Sequence, residues 1–459
     1  MFDDKFWNNI VAETNRYAIQ IIDNSDMAKK SDKTWNPVSC NEMKVYLGLC
    51  IIMAQVKKPR IQMNWSKKAI IDTPIFRKTM PLKRFSQITR FFHFADNNAC
   101  MMADKLRKVK PVIKYFNKKF QELYVMEEDI AIDESLMKFK GRLSYKQYNP
   151  SKRARYGIKF YKLCESASGY CYNFKIYSGK DKKIINQGAS QAIVMELSKP
   201  ILNKGHTIYL DNWFSSPKLY LTLVENKTNA VGTVRVNRAN MPGDLVKSKI
   251  KKGDYMIRSC NGILAIKWMD RREVHFISTK HESIQMTEQN RKNREPILKP
   301  KCVIDYNQGM IGIDRHDQIL ASFPVMRKYL KGYRKIFFYM FDMALFNSYI
   351  LYHKLNDTKQ NYTDYRLQVA EIILQENPLE YPKKINAANA DIPSRLHAKC
   401  WAHFPKHINP TPKKQHPTRC CRVCTKHKKR SETTWECEKC LVPLHVPDCF
   451  KKFHTLHNY

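Results

Sequence analysis

Ile130-Ala-Ile-Asp133-Glu-Ser-Leu136 and His206-Thr-Ile-Tyr-Leu-Asp211 are two short apolar runs, each arriving at an aspartate followed by a polar residue. Runs of this length, with β-branched and aromatic members, read as buried strands. In α/β sheets ligands gather beyond the carboxyl ends of the strands, so the two aspartates are expected to share a site. Two close carboxylates repel, and one tends to keep its proton unless a cation lies between them. A divalent ion removes that conflict, and hard oxygen donors suit Mg2+ or Mn2+ rather than zinc. Two such ions about 4 Å apart can serve the attacking and leaving oxygens of a phosphoryl transfer.

A third acidic candidate lies in Gly309-Met-Ile-Gly-Ile-Asp314-Arg-His-Asp317. Asp314 and Asp317 are three residues apart, so on a helix both face one side, and either could reach the metals. A lone aspartate usually caps a helix or makes a turn. It is the combination of strand end, strand end and helix that points to chemistry.

The texture around these stretches is mixed α/β. Residues 1 to about 125 read as helical, with one apolar stripe through Met43, Tyr46, Leu47, Cys50, Ile51 and Ala54 behind a cap at Asn41. A second stripe, Leu82, Phe85, Ile88 and Phe91, follows Pro81. Phe160 to Tyr177 reads as a hairpin turning at Ser166-Ala-Ser-Gly169. Helices are expected near 187–198 and 217–226, with a strand at 230–236 between the second of these and an interruption at 240–302. That interruption holds a hairpin about Asn261-Gly262 and a strand at Val274 to Ser278, and reads as an insertion. Helical texture returns from about 310 to 377. The proline-rich stretch 378–417 reads as a linker.

The chain carries 81 Lys and Arg against 42 Asp and Glu, a net charge of +39. A surface this basic attracts polyanions, with double-stranded nucleic acid first among them. Met1-Phe-Asp-Asp-Lys does not read as a signal peptide. The most apolar run, Ile336 to Tyr352, is short for a bilayer crossing and contains Asp342, so it reads as a buried helix and no membrane role is expected. Cysteines cluster near the C-terminus in metal-like spacing rather than as a disulfide framework, which fits a reducing compartment, nucleus or cytosol.

That cluster contains Cys421-Arg-Val-Cys424 and Cys437-Glu-Lys-Cys440, followed by His445, Cys449, His454 and His457. Eight soft or borderline donors suffice for two tetrahedral zinc sites. In a cross-brace, alternate pairs share a metal. Cys421, Cys424, His445 and Cys449 are expected at one zinc, and Cys437, Cys440 and His454 at the other, with His457 or His427 as fourth ligand. The basic run containing Lys428, Lys429 and Arg430 is suited to phosphate contacts or to nuclear import.

The acidic stretches resemble the motifs of piggyBac-type transposases. Ile130-Ala-Ile-Asp133-Glu-Ser-Leu with Lys140-Gly-Arg142 resembles the first, and Tyr209-Leu-Asp211-Asn-Trp-Phe-Ser-Ser216 the second. Asp305-Tyr-Asn-Gln-Gly-Met-Ile-Gly-Ile-Asp314-Arg-His-Asp317-Gln resembles the third. Gly157-Ile-Lys159, Gly232-Thr-Val-Arg235, Ala344-Leu-Phe-Asn-Ser-Tyr349 and the cysteine-rich tail are similar too, in the family's order from near residue 5 to Tyr459.

The resemblance implies an RNase H-like catalytic core split by an insertion, with a helical dimerisation and DNA-binding domain assembled from both of its flanks. The expected segments are 1–126 and 325–385 for the helical domain, 127–239 and 303–324 for the core, 240–302 for the insertion, 386–417 for a linker and 418–459 for the zinc-binding module. It implies Asp133, Asp211 and Asp314 as the catalytic triad and Asp317 as a further acidic position. It also implies a nuclear homodimer that cleaves terminal inverted repeats through hairpin intermediates and joins 3′-hydroxyl ends to target DNA at TTAA. Lys140, Arg142, Tyr333 and Arg334 are the expected DNA contacts beside those of the tail. Two departures stand out. The family's long acidic N-terminal region has no counterpart before the similarity begins, and Lys331-Gly-Tyr-Arg334 stands where the family favours tryptophan. A domesticated DNA-binding descendant without cleavage activity is the alternative reading.

Overall fold

Ser39, not Asn41, opens the second helix. Its Oγ accepts the amide of Glu42 at 3.2 Å while its own amide donates to the Glu42 carboxylate at 3.4 Å, a reciprocal cap. The computed structural model describes all residues except 25–28, 30–31, 100–102, 151–154, 180–187, 292–293, 326–330, 382–402, 413 and 457. The chain divides into two compact units, Met1–Leu379 and Glu380–Tyr459.

The first unit begins with helices α1 (Asp4–Ile22), α2 (Cys40–Gln55), α3 (Pro74–Thr79), α4 (Leu82–Phe91) and α5 (Lys110–Glu122). Both apolar stripes read from the sequence are buried, on α2 and α4. Strands β1 (Asp129–Lys138), β2 (Gln147–Tyr148), β3 (Tyr156–Glu165) and β4 (Cys171–Ile176) follow, then α6 (Ala189–Ser198), β5 (Thr207–Leu210), α7 (Pro217–Glu225) and β6 (Asn229–Thr233). Helix α8 (Gly243–Lys247) leads into β7 (Tyr255–Cys260), β8 (Ile263–Met269) and β9 (Glu273–Ser278), and a two-stranded ribbon, β10 (Met286–Arg291) and β11 (Arg294–Pro300). The unit closes with α9 (Lys301–Gly309), α10 (Ile311–Ser322), α11 (Gly332–Asn356) and α12 (Tyr362–Glu376).

One sheet organises these elements. Its order is β2-β3-β1-β5-β6-β9-β8-β7, with β4 also paired to β3. β1 runs antiparallel to β3 and parallel to β5, which is parallel to β6. The hairpin of the interruption turns at Asn261 and Gly262, both at positive φ as its sequence required. The hairpin β7–β8 and β9 do not form a separate sheet: β9 pairs with β8 and with β6 and continues the central one, whereas β10 and β11 stand apart as their own ribbon. Unsatisfied edge groups on β6 are covered this way.

Helix α11 ties the early helices to the late ones through rings. Phe337 stacks on Phe94 at 4.5 Å and meets Phe92 edge-on at 4.9 Å, while Phe341 lies 5.3 Å from Phe2. Helix α12 is pinned to α11 by a buried ion pair, Arg366 to Asp342 at 3.3 Å, with Asp342 also accepting the amide of Val325 at 3.0 Å. Arg366 is 1% exposed and Asp342 3%, so each charge depends on the other. Asp342→Asn is expected to destabilise the protein by about 3–5 kcal/mol by leaving a buried guanidinium uncompensated. Replacing the pair together, Asp342→Leu with Arg366→Met, should recover most of that loss in chemical-denaturation midpoints.

Candidate active site and metal centres

Ile132 and Leu210 are the last paired residues of the parallel β1–β5 ladder, so Asp133 and Asp211 occupy the next rung. Residues level on neighbouring strands project to one face. Asp211 also starts a tight turn. Its Oδ1 accepts the amides of Trp213 at 2.9 Å and Phe214 at 3.3 Å, and its carbonyl accepts the Ser215 hydroxyl at 3.0 Å. Gly232 on β6 lies against this turn, where a Cβ would come 2.2 Å from the carbonyl of Leu210. Burial pushes the Asp211 carboxyl up and the charge of Glu134 adds to it, against the turn amides and Arg235. Tyr306 on α9 senses both aspartates. Its phenol is pushed up to about 12, chiefly by burial, with Asp211 and Asp133 adding.

Helices α9 and α10 lie close against the sheet because of two glycines. A Cβ on Gly309 would come 2.4 Å from the Tyr209 ring, and one on Gly312 2.5 Å from the carbonyl of Glu165. His316, fully buried, adds a bond from Nδ1 to the carbonyl of Gly169 at 2.9 Å. The Gly-Met-Ile-Gly sequence therefore sets the approach of the acidic helix.

Asp314 sits exposed in the first turn of α10. Asp317, one turn on, has a different setting. Its Oδ1 accepts from Lys162 Nζ at 2.7 Å and from Ser135 Oγ at 2.8 Å, and lies 3.4 Å from the Tyr339 hydroxyl. The Lys162 side chain is fully buried, and its residue pairs with Asp133 across the β1–β3 ladder. Burial alone would raise the Asp317 carboxyl, yet Lys162, and after it His316 and the Ser135 hydroxyl, hold it below the usual range. Burial likewise opposes charge on Lys162, and Asp317 overcomes it. Neither Lys162, Ser135 and Tyr339 nor Tyr306 stood out in the sequence. The one available signal was a lysine inside the apolar run Phe160 to Cys164.

Hard oxygen donors at one rung, both half-buried and with burial pushing the Asp211 carboxyl up, suit a divalent cation. Among the described residues no three carboxylates bring their oxygens within 4.8 Å of one another, as the ligand atoms of two Cys/His quartets are brought. A two-ion site spaces its ions by about 4 Å, so its ligands span more than a single ion's shell.

The rim is basic and aromatic. Lys159 pairs with Glu134 and lies 4.9 Å and 5.0 Å from the ring centroids of Tyr161 and Trp213. Lys140 and Arg142 are exposed beyond β1. Arg334 is placed differently from the expected DNA contact. It is 5% exposed, and its guanidinium donates to the carbonyls of Thr89, Arg90 and Phe92, capping the C-terminus of α4. Tyr333 is half-buried, its hydroxyl 3.1 Å from both Arg334 Nε and His93 Nδ1, so its ring packs within the helices rather than standing free for a base.

In the second unit, Cys421, Cys424, His445 and Cys449 form one quartet with ligand atoms within 4.8 Å, the grouping read from the sequence. The other joins Cys437, Cys440 and His454 to His403, a residue that the sequence places in the expected linker. His403 Nδ1 lies 3.3 Å from Cys440 Sγ and 3.4 Å from Cys437 Sγ. His427 is exposed and belongs to neither quartet, and His457 lies outside the described residues. The stretch after His403 is structured, because Pro405–His407 pairs with Trp435–Cys437. The outer nitrogens are oriented too: His445 Nε2 lies 3.1 Å from the carbonyl of Glu432, and His454 Nδ1 2.8 Å from that of Phe450. Lys428, Lys429 and Arg430 are exposed on the loop between the CxxC pairs.

Comparison with known proteins accords with this geometry. The profile of a family described as Transposase IS4 matches residues 1–349. Human PiggyBac transposable element-derived protein 2 is 28% identical over 396 residues, which cover 82% of this chain and 64% of the relative. Human PiggyBac transposable element-derived protein 3 is 26% identical over 436 residues, 91% of this chain and 70% of the relative. The chain thus spans somewhat under two thirds of the length of the first of these relatives. A cryo-EM structure of a piggyBac transposase synaptic complex with hairpin DNA superposes with a TM-score of 0.73 at 21% identity, covering 96% of this chain and 95% of that one, and so shares its fold. No helix among the described residues is long and apolar enough to cross a membrane. The chain belongs to the IS4/piggyBac-type transposase family.

Proposed function

We propose that this protein is a metal-dependent cut-and-paste DNA transposase. The observation that carries the proposal is the common rung of Asp133 and Asp211, with the acidic helix α10 packed on β1 beside it. Asp133, Asp211 and Asp314 are the residues that would hold Mg2+ or Mn2+. Bound there, a divalent pair supplies Lewis-acid activation of the attacking and leaving oxygens in phosphoryl transfer. The chain's own contribution is placement. The Trp213 and Phe214 amides fix the Asp211 carboxylate, Gly309 and Gly312 let the helix that carries Asp314 approach the sheet, and Lys140 and Arg142 offer phosphate contacts outside it.

In this reading a nuclear homodimer cleaves at terminal inverted repeats through hairpin intermediates and joins the 3′-hydroxyl ends to target DNA at TTAA. The tail holds two structural zinc ions, and Lys428, Lys429 and Arg430 contact the phosphates of the element's ends. The relatives are named as transposable element-derived proteins, which supports a second reading: a domesticated DNA-binding descendant.

Incubation with Mg2+ and a DNA carrying the element's own ends separates the two. Nicks and hairpins are expected, and Asp133→Ala, Asp211→Ala or Asp314→Ala should each lower their rate by about a thousandfold, roughly 4 kcal/mol of transition-state stabilisation. Activity surviving Asp211→Ala sinks the triad, and end binding without cleavage favours the domesticated descendant. Metal analysis should find two zinc ions per chain, one in His403→Ala and still two in His427→Ala. A tail that stays folded in strong chelator would count against zinc. Alanine at Lys428, Lys429 and Arg430 together should flatten the log–log salt dependence of end binding by about 0.9 for each phosphate no longer neutralised.

A further inference from the structure

We infer that Lys162 is a positioning residue for the catalytic centre, and that Asp317 is its tether rather than a metal donor. This rests on the metal-dependent reading above. Lys162 is the residue opposite Asp133 on β3, and its ammonium is wholly enclosed. It donates to Asp317 on α10 at 2.7 Å and to the Tyr339 hydroxyl on α11 at 2.8 Å. Ser135, two residues past Asp133 on the same strand face, donates to the same Asp317 oxygen at 2.8 Å. One carboxylate oxygen thus joins β1, β3 and α10, with α11 closing the cluster through Tyr339.

The charges decide between tether and ligand. A buried ammonium without its partner is costly, so Lys162 needs the full negative charge of Asp317. A carboxylate neutralised in this way is a poor donor to a cation that must also displace its water. Asp314 is one helical turn away on the same side of α10, exposed to solvent and not bonded into that cluster. The Lys162–Asp317 bond therefore fixes where α10 lies on the sheet, and with it where Asp314 stands relative to Asp133. The two glycines allow this close approach, and the ion pair sets its register.

The test is Mn2+ binding to the full-length protein without DNA, read by loss of the free-ion electron paramagnetic resonance signal. Circular dichroism at the same temperature checks that the fold is intact. Lys162→Met is expected to weaken Mn2+ binding about tenfold, the scale of losing an outer-shell partner. Lys162→Met with Asp317→Leu, which replaces the ion pair by apolar contact, should return affinity to within about threefold of the parent. A double variant that remains about tenfold or more weakened makes Asp317 a metal donor and overturns the inference. Unchanged affinity in Lys162→Met, with only a lower melting temperature, overturns it as well, since the pair would then be structural alone. Asp211→Ala is the control for the underlying reading. If that variant binds Mn2+ like the parent, the metal site itself fails, and the inference falls with it for a separate and recognisable reason.

Discussion

A single rung of the parallel β1–β5 ladder constrains the rest of the first unit. Placing Asp133 level with Asp211 creates a concentration of negative charge on two central strands of a hydrophobic sheet, and folding must hold it there. The means are local. Asp211 is fixed by its own turn, and the turn fits only because β6 offers a glycine against it. The pair cannot drift apart without breaking the hydrogen-bonded strands that carry it. Everything else in the unit either approaches this rung, as α9 and α10 do, or stiffens the elements that approach it, as α11 and α12 do.

The electrostatic pattern is layered. The buried cations Lys162 and Arg366 each meet a carboxylate, Asp317 and Asp342, while the excess of positive charge is carried mostly at the surface. Buried pairs contribute little net stability but penalise misplacement heavily, because a separated partner is left without solvent. Surface charge contributes attraction at range and is screened by salt. The proposed function would draw on both uses of charge, the surface excess for a polyanion and the buried pairs for the alignment of acidic side chains, and the fold keeps them apart.

Much of the candidate site was legible in the sequence, for physical reasons that can be named. Asp211 is visible because an apolar run marks its strand and the following polar residues mark its end, whereas Asp133 stands inside β1, which pairs on with β3 to Lys138, so the same pattern found its strand but not where that strand stops. The first Cys/His quartet was visible because CxxC spacing is local. His403 was invisible for the opposite reason: its partners are far along the chain, and nothing in Trp401-Ala-His403-Phe announces a ligand. Arg334 was misplaced because a basic residue beside an aromatic reads equally well as a DNA contact and as a helix cap, and only its burial against α4 decides. Lys162 was missed because a lysine within a strand is ordinarily a solvent-facing residue. The continuation of the central sheet through β9 likewise depends on long-range pairing that no local pattern encodes.

The order of the ligands in the tail has a topological consequence. Reading along the chain, one quartet takes His403, Cys437, Cys440 and His454, and the other takes Cys421, Cys424, His445 and Cys449 in the intervals between them. The quartets interleave: Cys421 and Cys424 of the second lie between His403 and Cys437 of the first, and Cys437 and Cys440 of the first lie between Cys424 and His445 of the second. Closing either quartet joins distant parts of the module and shortens the loops that the other must close. The two sets of ligands are therefore coupled through the chain, and ordering one lowers the entropic cost of ordering the other.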